Sequence, residues 1–396
     1  PPRRSYGKLI AFLAARTRDV AGAEDALSEA FASALANWPA SGVPLNPEAW
    51  LLTAARRKMI DAARQRHTND GVAEHLALLE ELRTDEDGAA IPDDRLALMF
   101  ACAHPAIEAG VRAPLMLQVI LGFDAATIAS AFLVAPSTMG QRLVRAKAKI
   151  RNAGVPFRVP EASELRDRLT TVLEAIYAAY AEGWVDAAGT DMRRRNLAEE
   201  AIWLGSLVAT LLPQEPEALG LLSLMLHAHA RREARRDAQG RYVPLAEQDT
   251  SQWDAAMIEE AEALLSRAAS LQATGRYQLE AAIQSAHGVR RGSGRADWPA
   301  IEQLYDALVA MTGSPVAAIN RAIAVAETRG PAAALALLDS VAQDPRLAQY
   351  QPYWAARADM LARVGDRPAA DRAYERAMGL EPDAAVRDFL QRQRSS

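Results

Sequence analysis

Residues 124–151 read DAATIASAFLVAPSTMGQRLVRAKAKIR, and this stretch decides how the rest of the chain is understood. Asp124 suits a helix N-cap, because its carboxylate can accept from an unpaired amide in the first turn. Ile128, Ala129 and Phe132 then give a first short helix one apolar stripe. Leu133, Val134 and Ala135 form a tight connection. Pro136 suits the first position of a second helix, where no amide partner is lost. On that helix Met139, Leu143, Ala146 and Ile150 repeat at helical spacing. Its other side carries Ser137, Thr138, Gln141, Arg142, Arg145, Lys147, Lys149 and Arg151. Short helix, tight turn and cationic second helix describe a helix-turn-helix. An amphipathic pair with one solvated basic face would share the periodicity. Residues 125–160 hold six Lys or Arg and no acid, and that imbalance favours DNA.

The chain has 396 residues, half of them hydrophobic and only 6% aromatic. Abundant Ala and scarce aromatics favour helices over strands, so an all-α, multidomain protein is expected. Cys102 is the single cysteine, which excludes an internal disulfide and a cysteine-rich zinc site and fits a reducing cytoplasm. No stretch is long and apolar enough to cross a membrane, and PPRRSYGKLI at the start lacks a signal-peptide pattern. A cytoplasmic location, no cofactor and no metal are therefore expected.

Net charge is −5, but unevenly spread. Residues 1–68 are +4, residues 69–124 are −8, residues 125–160 are +6 and residues 161–396 are −7. Two basic modules flank an acidic joint and precede an acidic half. A free-standing DNA binder is usually basic overall, so this chain is expected to need a partner to hold DNA.

In chain order, a helix through Leu9, Ile10, Phe12 and Leu13 leads to Gly22, after which a second helix buries Ala26, Leu27, Ala30, Phe31 and Ala34. Glu24, Asp25 and Glu29 lie in or near its first turns, where acids favour the helix dipole. The segment Trp38–Pro47 contains three prolines and reads as a loop. Pro47 then opens a helix through Arg66, with Leu51, Leu52, Ala55 and Met59 inward and Trp50, Thr53, Arg57, Asp61 and Arg64 outward. A Trp beside Arg residues suits an unpaired strand, where bases stack on aromatics; packing under the preceding loop explains Trp50 equally well.

Three stretches in order now carry a resemblance: AEDALSEAF (23–31), AWLLTAARRKMIDAARQR (49–66) and APSTMGQRLVRAKAKIR (135–151). Together they resemble the extracytoplasmic-function sigma factors of bacterial RNA polymerase, over roughly residues 5–160. The resemblance implies sigma region 2 at 1–68, an acidic linker at 69–92 and a sigma region 4 helix-turn-helix at 93–158. It implies that Glu24, Asp25 and Glu29 face the clamp of the polymerase's largest subunit, region 4 meeting the flap of the second. The loop before Pro47 would hold a flipped −10 base, with Trp50, Arg57 and Arg64 supporting strand opening or phosphate contacts. Ser137, Thr138, Gln141, Arg142 and Arg145 would read the −35 element, with Lys147 and Lys149 on phosphates. Asp94–Ile107 and Pro114–Leu121 would be the first helices of region 4.

Beyond Pro160 the composition changes. Helices are expected at 161–181, 193–212 and 215–231. A polar excursion follows at 231–252, turning at Gly240, and Ser251 with Asp254 reads as a capping box. Residues 159–272 read as a helical extension and 273–396 as tetratricopeptide-like helix pairs at 276–311, 315–342 and 347–380. Trp354, Ala358, Leu361, Gly365, Ala370, Tyr374, Ala377 and Pro382 carry the repeat-like offsets. LMLHAHARREAR (224–235) and EQDTSQWD (247–254) resemble recurrent stretches of sigma factors with such an extension. His227, His229, Arg231, Arg232, Asp249 and Trp253 there would suit a hydrolytic or metal site, and polar bridges between helix pairs explain them as well.

The expected function is thus promoter specificity in transcription initiation, with a fused regulatory or protein-binding extension and no enzymatic activity. The alternative is a ligand-responsive helix-turn-helix regulator with a helical sensor. It would bind a palindrome as a dimer, and it leaves residues 1–66 without a role.

Overall fold

The computed structural model describes residues 2–65, 93–132, 134–184 and 192–395. All regular structure among them is helical apart from one isolated bridge, Arg236 to Tyr242. The chain is all-α, as its composition implies. The acidic stretch 69–92 and the side chain of Arg64 lie outside the described residues. Two compact units emerge, 1–186 with 191–204, and 187–190 with 205–396.

The N-terminal unit is built around α1 (Pro2–Thr17), which packs on α2 (Val20–Ser41), α3 (Pro47–Gln65), α4 (Arg95–Cys102) and α5 (Ala109–Leu121). Leu9, Ile10 and Leu13 of α1, Leu98 to Phe100 of α4 and Leu115 to Leu117 of α5 are fully buried. Gly7 permits the tightest approach: a Cβ there would stand 2.2 Å from the Ile120 carbonyl oxygen of α5. The end of α5 is closed by Gly122 at φ 70, whose amide donates to Gln118, a left-handed cap that favours glycine. Then come α6 (Ala125–Ala131), α7 (Pro136–Asn152) and α8 (Ala162–Trp184).

Several boundaries differ from expectation for identifiable reasons. α2 starts at Val20 rather than Gly22, because the Asp19 carboxylate accepts from the Gly22 amide and caps the helix earlier. It also runs through Pro39 to Ser41. The carbonyl that loses its amide partner there is that of Leu35, whose residue is exposed. The expected ten-residue loop shrinks to 42–46. Asp94–Ile107 is not one helix: α4 ends at Cys102 and a turn follows, held by the Ala106 amide donating to His104 Nδ1 at 3.1 Å. Pro105 disfavours helical geometry at the preceding residue. α5 begins at Ala109, and Pro114 sits inside it instead of opening it.

The C-terminal unit continues from the end of α9 (Met192–Leu211) into α10 (Pro216–His229), α11 (Ala255–Ser270) and α12 (Arg276–Gly288). Beyond them lie α13 (Trp298–Thr312), α14 (Pro315–Arg329), α15 (Pro331–Val341), α16 (Gln351–Val364), α17 (Arg367–Leu380) and α18 (Ala384–Ser395). From α12 onward each helix packs on the next. Caps recur at their starts: Asp254, Asp297, Ser314 and Asp366 each accept from the amide three residues on. Asp254 alone caps α11, while Ser251 turns back to Asp249, so the expected capping box is not formed. α18 was not anticipated, although Leu390 is buried with Tyr374 and Ala377. The excursion 231–254 clasps this last helix: Arg236 pairs with Asp383, and the Tyr242 ring meets Phe389 edge-on at 5.4 Å.

Two histidines in this unit are held neutral. Burial, with Arg231 nearby, pushes His227 down to about 4; burial, then Arg231 and Arg290, do the same to His287. Glu262 lies 3.5 Å from His227 Nε2, but it is half exposed and accepts from Ser285, so burial prevails. The unfolded chain binds protons that the fold refuses between roughly pH 6.5 and 4. Stability therefore falls as pH drops through that window, by up to about 1.4 kcal/mol per pH unit per histidine. Urea unfolding followed at successive pH values should show this slope, and His227→Leu with His287→Leu should flatten it.

Candidate nucleic-acid interface

α7 presents two faces because its sequence does. Met139, Leu143, Ala146 and Ile150 are all buried, with α7 packed on α5 and α6. Asp124 caps α6 through the Thr127 amide and hydroxyl, both at 2.8 Å, and Pro136 opens α7. Outside lie Ser137, Thr138, Gln141, Arg145 and Lys149, all exposed, with Arg142 half-buried. Gln141, Arg145 and Lys149 follow at four-residue steps and form one ridge. Beside the ridge is a concavity of about 390 Å³, where Arg142, Arg145 and Lys149 outnumber a single acid, Glu108. Val144, 62% exposed, interrupts the polar face. Sequence reading passed over it, and the signal was an apolar residue off the buried stripe.

Lys147 is placed differently. Its Nζ donates to Glu24 Oε2 on α2 at 2.6 Å, and both side chains are nearly buried. Arg151 lies 3.9 Å from Asp19, and Arg16 of α1 pairs with Asp94 at 3.3 Å. A residue expected on DNA and a residue expected on polymerase are thus each other's partner. Burial raises the Glu24 pKa, and Lys147 only partly offsets it. Asp25 and Glu29 remain exposed, Glu29 pairing with Lys58 at 2.8 Å.

On α3, Arg57 is exposed, while Trp50 is half-buried with its ring edge-on to Trp38 at 5.4 Å. Trp50 therefore packs at the end of α2. The short loop after it displays Val43 and Leu45, and Leu35 of α2 is also exposed. These apolar side chains were not singled out from sequence. No group of three or more potential metal ligands occurs among the described residues. Cys102 is buried and burial pushes its thiol pKa up. No helix of the described residues is long and apolar enough to cross a membrane.

The sigma-70 region 2 family matches residues 3–68, which span α1 to α3. An uncharacterized protein of Rhizobium meliloti strain 1021, R00370, is 38% identical over 377 residues, covering 94% of this chain and 89% of that protein. The chain belongs to the same family. Residues 168–269 match a family of unknown function, DUF6596. No solved structure matches. The sigma-70 region 2 match supports a sigma-factor role in transcription initiation, and with it interaction with core RNA polymerase and promoter DNA.

Breaking a buried pair by removing one partner costs roughly 3–5 kcal/mol, because the other charge is left uncompensated. Lys147→Met should therefore lower stability more than Lys149→Met, whose side chain is exposed. Adding Glu24→Gln to Lys147→Met should recover much of the loss. A double-mutant cycle by denaturant unfolding measures the coupling, and additive effects would show that the contact carries none.

Proposed function

We propose that this chain is a promoter-specificity subunit of the extracytoplasmic-function type, with a tetratricopeptide-like extension over 273–396 joined through helices at 159–272. The observation that carries the reading is the sigma-70 region 2 match at α1–α3, followed in the same chain by the exposed cationic ridge of α7. In this reading residues 1–68 serve the −10 element and polymerase clamp, 69–92 is a linker, and 93–158 is the −35 reader. Ser137, Thr138, Gln141, Arg142 and Arg145 meet base edges in the major groove, where Gln and Arg can each form bidentate pairs. Val144 suits a thymine methyl. Lys149 takes phosphate, as Lys147 does once it leaves Glu24. Asp25 and Glu29 face polymerase, and Arg57 lies along the opened strand. Trp50 keeps its place against Trp38 and supports the loop from below.

About six phosphate contacts give a log–log salt slope near −5, too fragile for an isolated DNA binder. Polymerase supplies the remaining affinity by joining two weak grips on one promoter. The Lys147–Glu24 pair adds a condition. While α7 covers Glu24, polymerase docking through Glu24 and phosphate contact by Lys147 are both blocked. Binding either partner therefore favours release of the other site, a reciprocal coupling.

Run-off transcription with core polymerase over a promoter library should yield starts at one promoter class. Specific binding to palindromes without polymerase, together with absent transcription, would sink the proposal. Arg145→Ala should cost about 1–3 kcal/mol of discrimination at one −35 position. Gly7→Ala touches none of the binding residues, yet its methyl cannot fit against Ile120. It should loosen the covered state and strengthen polymerase binding, read by fluorescence anisotropy; unchanged binding by a variant whose circular dichroism and melting remain cooperative would show that covering Glu24 has no consequence.

A further inference from the structure

Some arginines of the C-terminal unit end on carboxylates, and others, such as Arg267, Arg376 and Arg387, on main-chain oxygens. Arg276 meets Glu280, Arg346 meets Asp344, Arg363 meets Glu327 and Arg394 meets Asp371. The turn at Leu245 is held by an arginine of the second kind. Arg290, just beyond α12, gives both terminal nitrogens to main-chain oxygens, those of Leu245 and Gln248. These are neutral acceptors, so the guanidinium charge is held without being cancelled. Arg295 has no ion pair among the described residues. Asp297, the nearby acid in sequence, is committed to capping α13 through the Ala300 amide at 3.1 Å.

Between the turn and the helices lies a cavity of about 280 Å³. Leu245, Ala246 and Trp298 give it apolar walls, and His287, Arg290 and Arg295 give it polar ones. Trp298 is fixed by an edge-on contact with His287, ring centres 5.4 Å apart at 89°. A mostly apolar recess with a few convergent polar groups is the usual form of a small-molecule site. Its polar groups here have one sign, because no carboxylate lines it. Burial first, then the cationic Arg231 and Arg290, holds the His287 imidazole neutral. Arg290 is half-buried and Arg295 exposed, so an anion entering the recess can reach both from solvent.

We propose that this cavity binds a small planar aromatic carboxylate, with its ring against Trp298 and its carboxylate at Arg290 and Arg295. The volume admits a compact ring with a short substituent, and the guanidinium fork matches carboxylate geometry. His287 can donate a third hydrogen bond from its neutral ring. The inference rests only on the C-terminal unit and stands apart from the transcriptional reading.

The test is calorimetric titration of the full chain with three probes, benzoate, salicylate and 1-naphthoate, and with their neutral amides. At least one carboxylate should bind saturably at one site per chain. Its amide should bind at least about tenfold more weakly, equivalent to about 1.4 kcal/mol. Arg295→Gln should weaken the carboxylate without changing the melting temperature, and Ala296→Phe should block the recess. Arg290 is left intact because the turn at Leu245 depends on it. In a titration followed by nuclear magnetic resonance, the bound carboxylate should raise the His287 pKa from about 4. The proposal is overturned if no probe binds saturably, if the amide matches its acid, or if both variants bind like the unaltered chain.

Discussion

Two helices approach closely where a side chain is missing. At Gly7 the α1 backbone lies so near the Ile120 carbonyl that no Cβ could stand between them. That approach seats α5 on α1, whose residues Leu9 to Ala14 are all buried as it packs on α2, α3, α4 and α5. α7, packed on α5, is thereby carried to the edge of α2, and Lys147 comes within 2.6 Å of Glu24. Two charges 123 residues apart in sequence thus meet through helices packed in series.

Much of this was legible in the sequence. The stripe from Met139 to Ile150, the Asp124 cap, Pro136 at the head of α7 and the turn at Gly240 are local features, set by spacing and by residues with narrow conformational preferences. The exposed ridge of α7 was legible for the same reason: a helix with one apolar stripe must show its other side. The helix pairs beyond Arg276 could be placed because small and apolar residues recur there at repeat-like offsets.

What escaped was non-local. Glu24 reads as an ordinary first-turn acid, and nothing in its neighbourhood names Lys147. Pro39 and Pro114 read as helix limits, yet each lies inside a helix, and the residues whose carbonyls lose a partner, Leu35 and Gly110, are exposed. Trp50 could face bases or core with equal local justification, and its edge-on contact with Trp38 is one that local spacing does not announce. The cavity at Leu245 joins residues from the excursion to residues after α12, a pairing that no spacing rule anticipates.

The clasp of the excursion on α18 changes the kind of object the C-terminal unit is. A row of helix pairs touching only their neighbours is quasi-one-dimensional, and such rows tolerate loss of an end and lose stability by increments. Arg236 on Asp383 and Tyr242 on Phe389 join the first part of the row to the last. The row becomes a circuit. Removing the final helix would be felt at residues 236–242, far away along the chain.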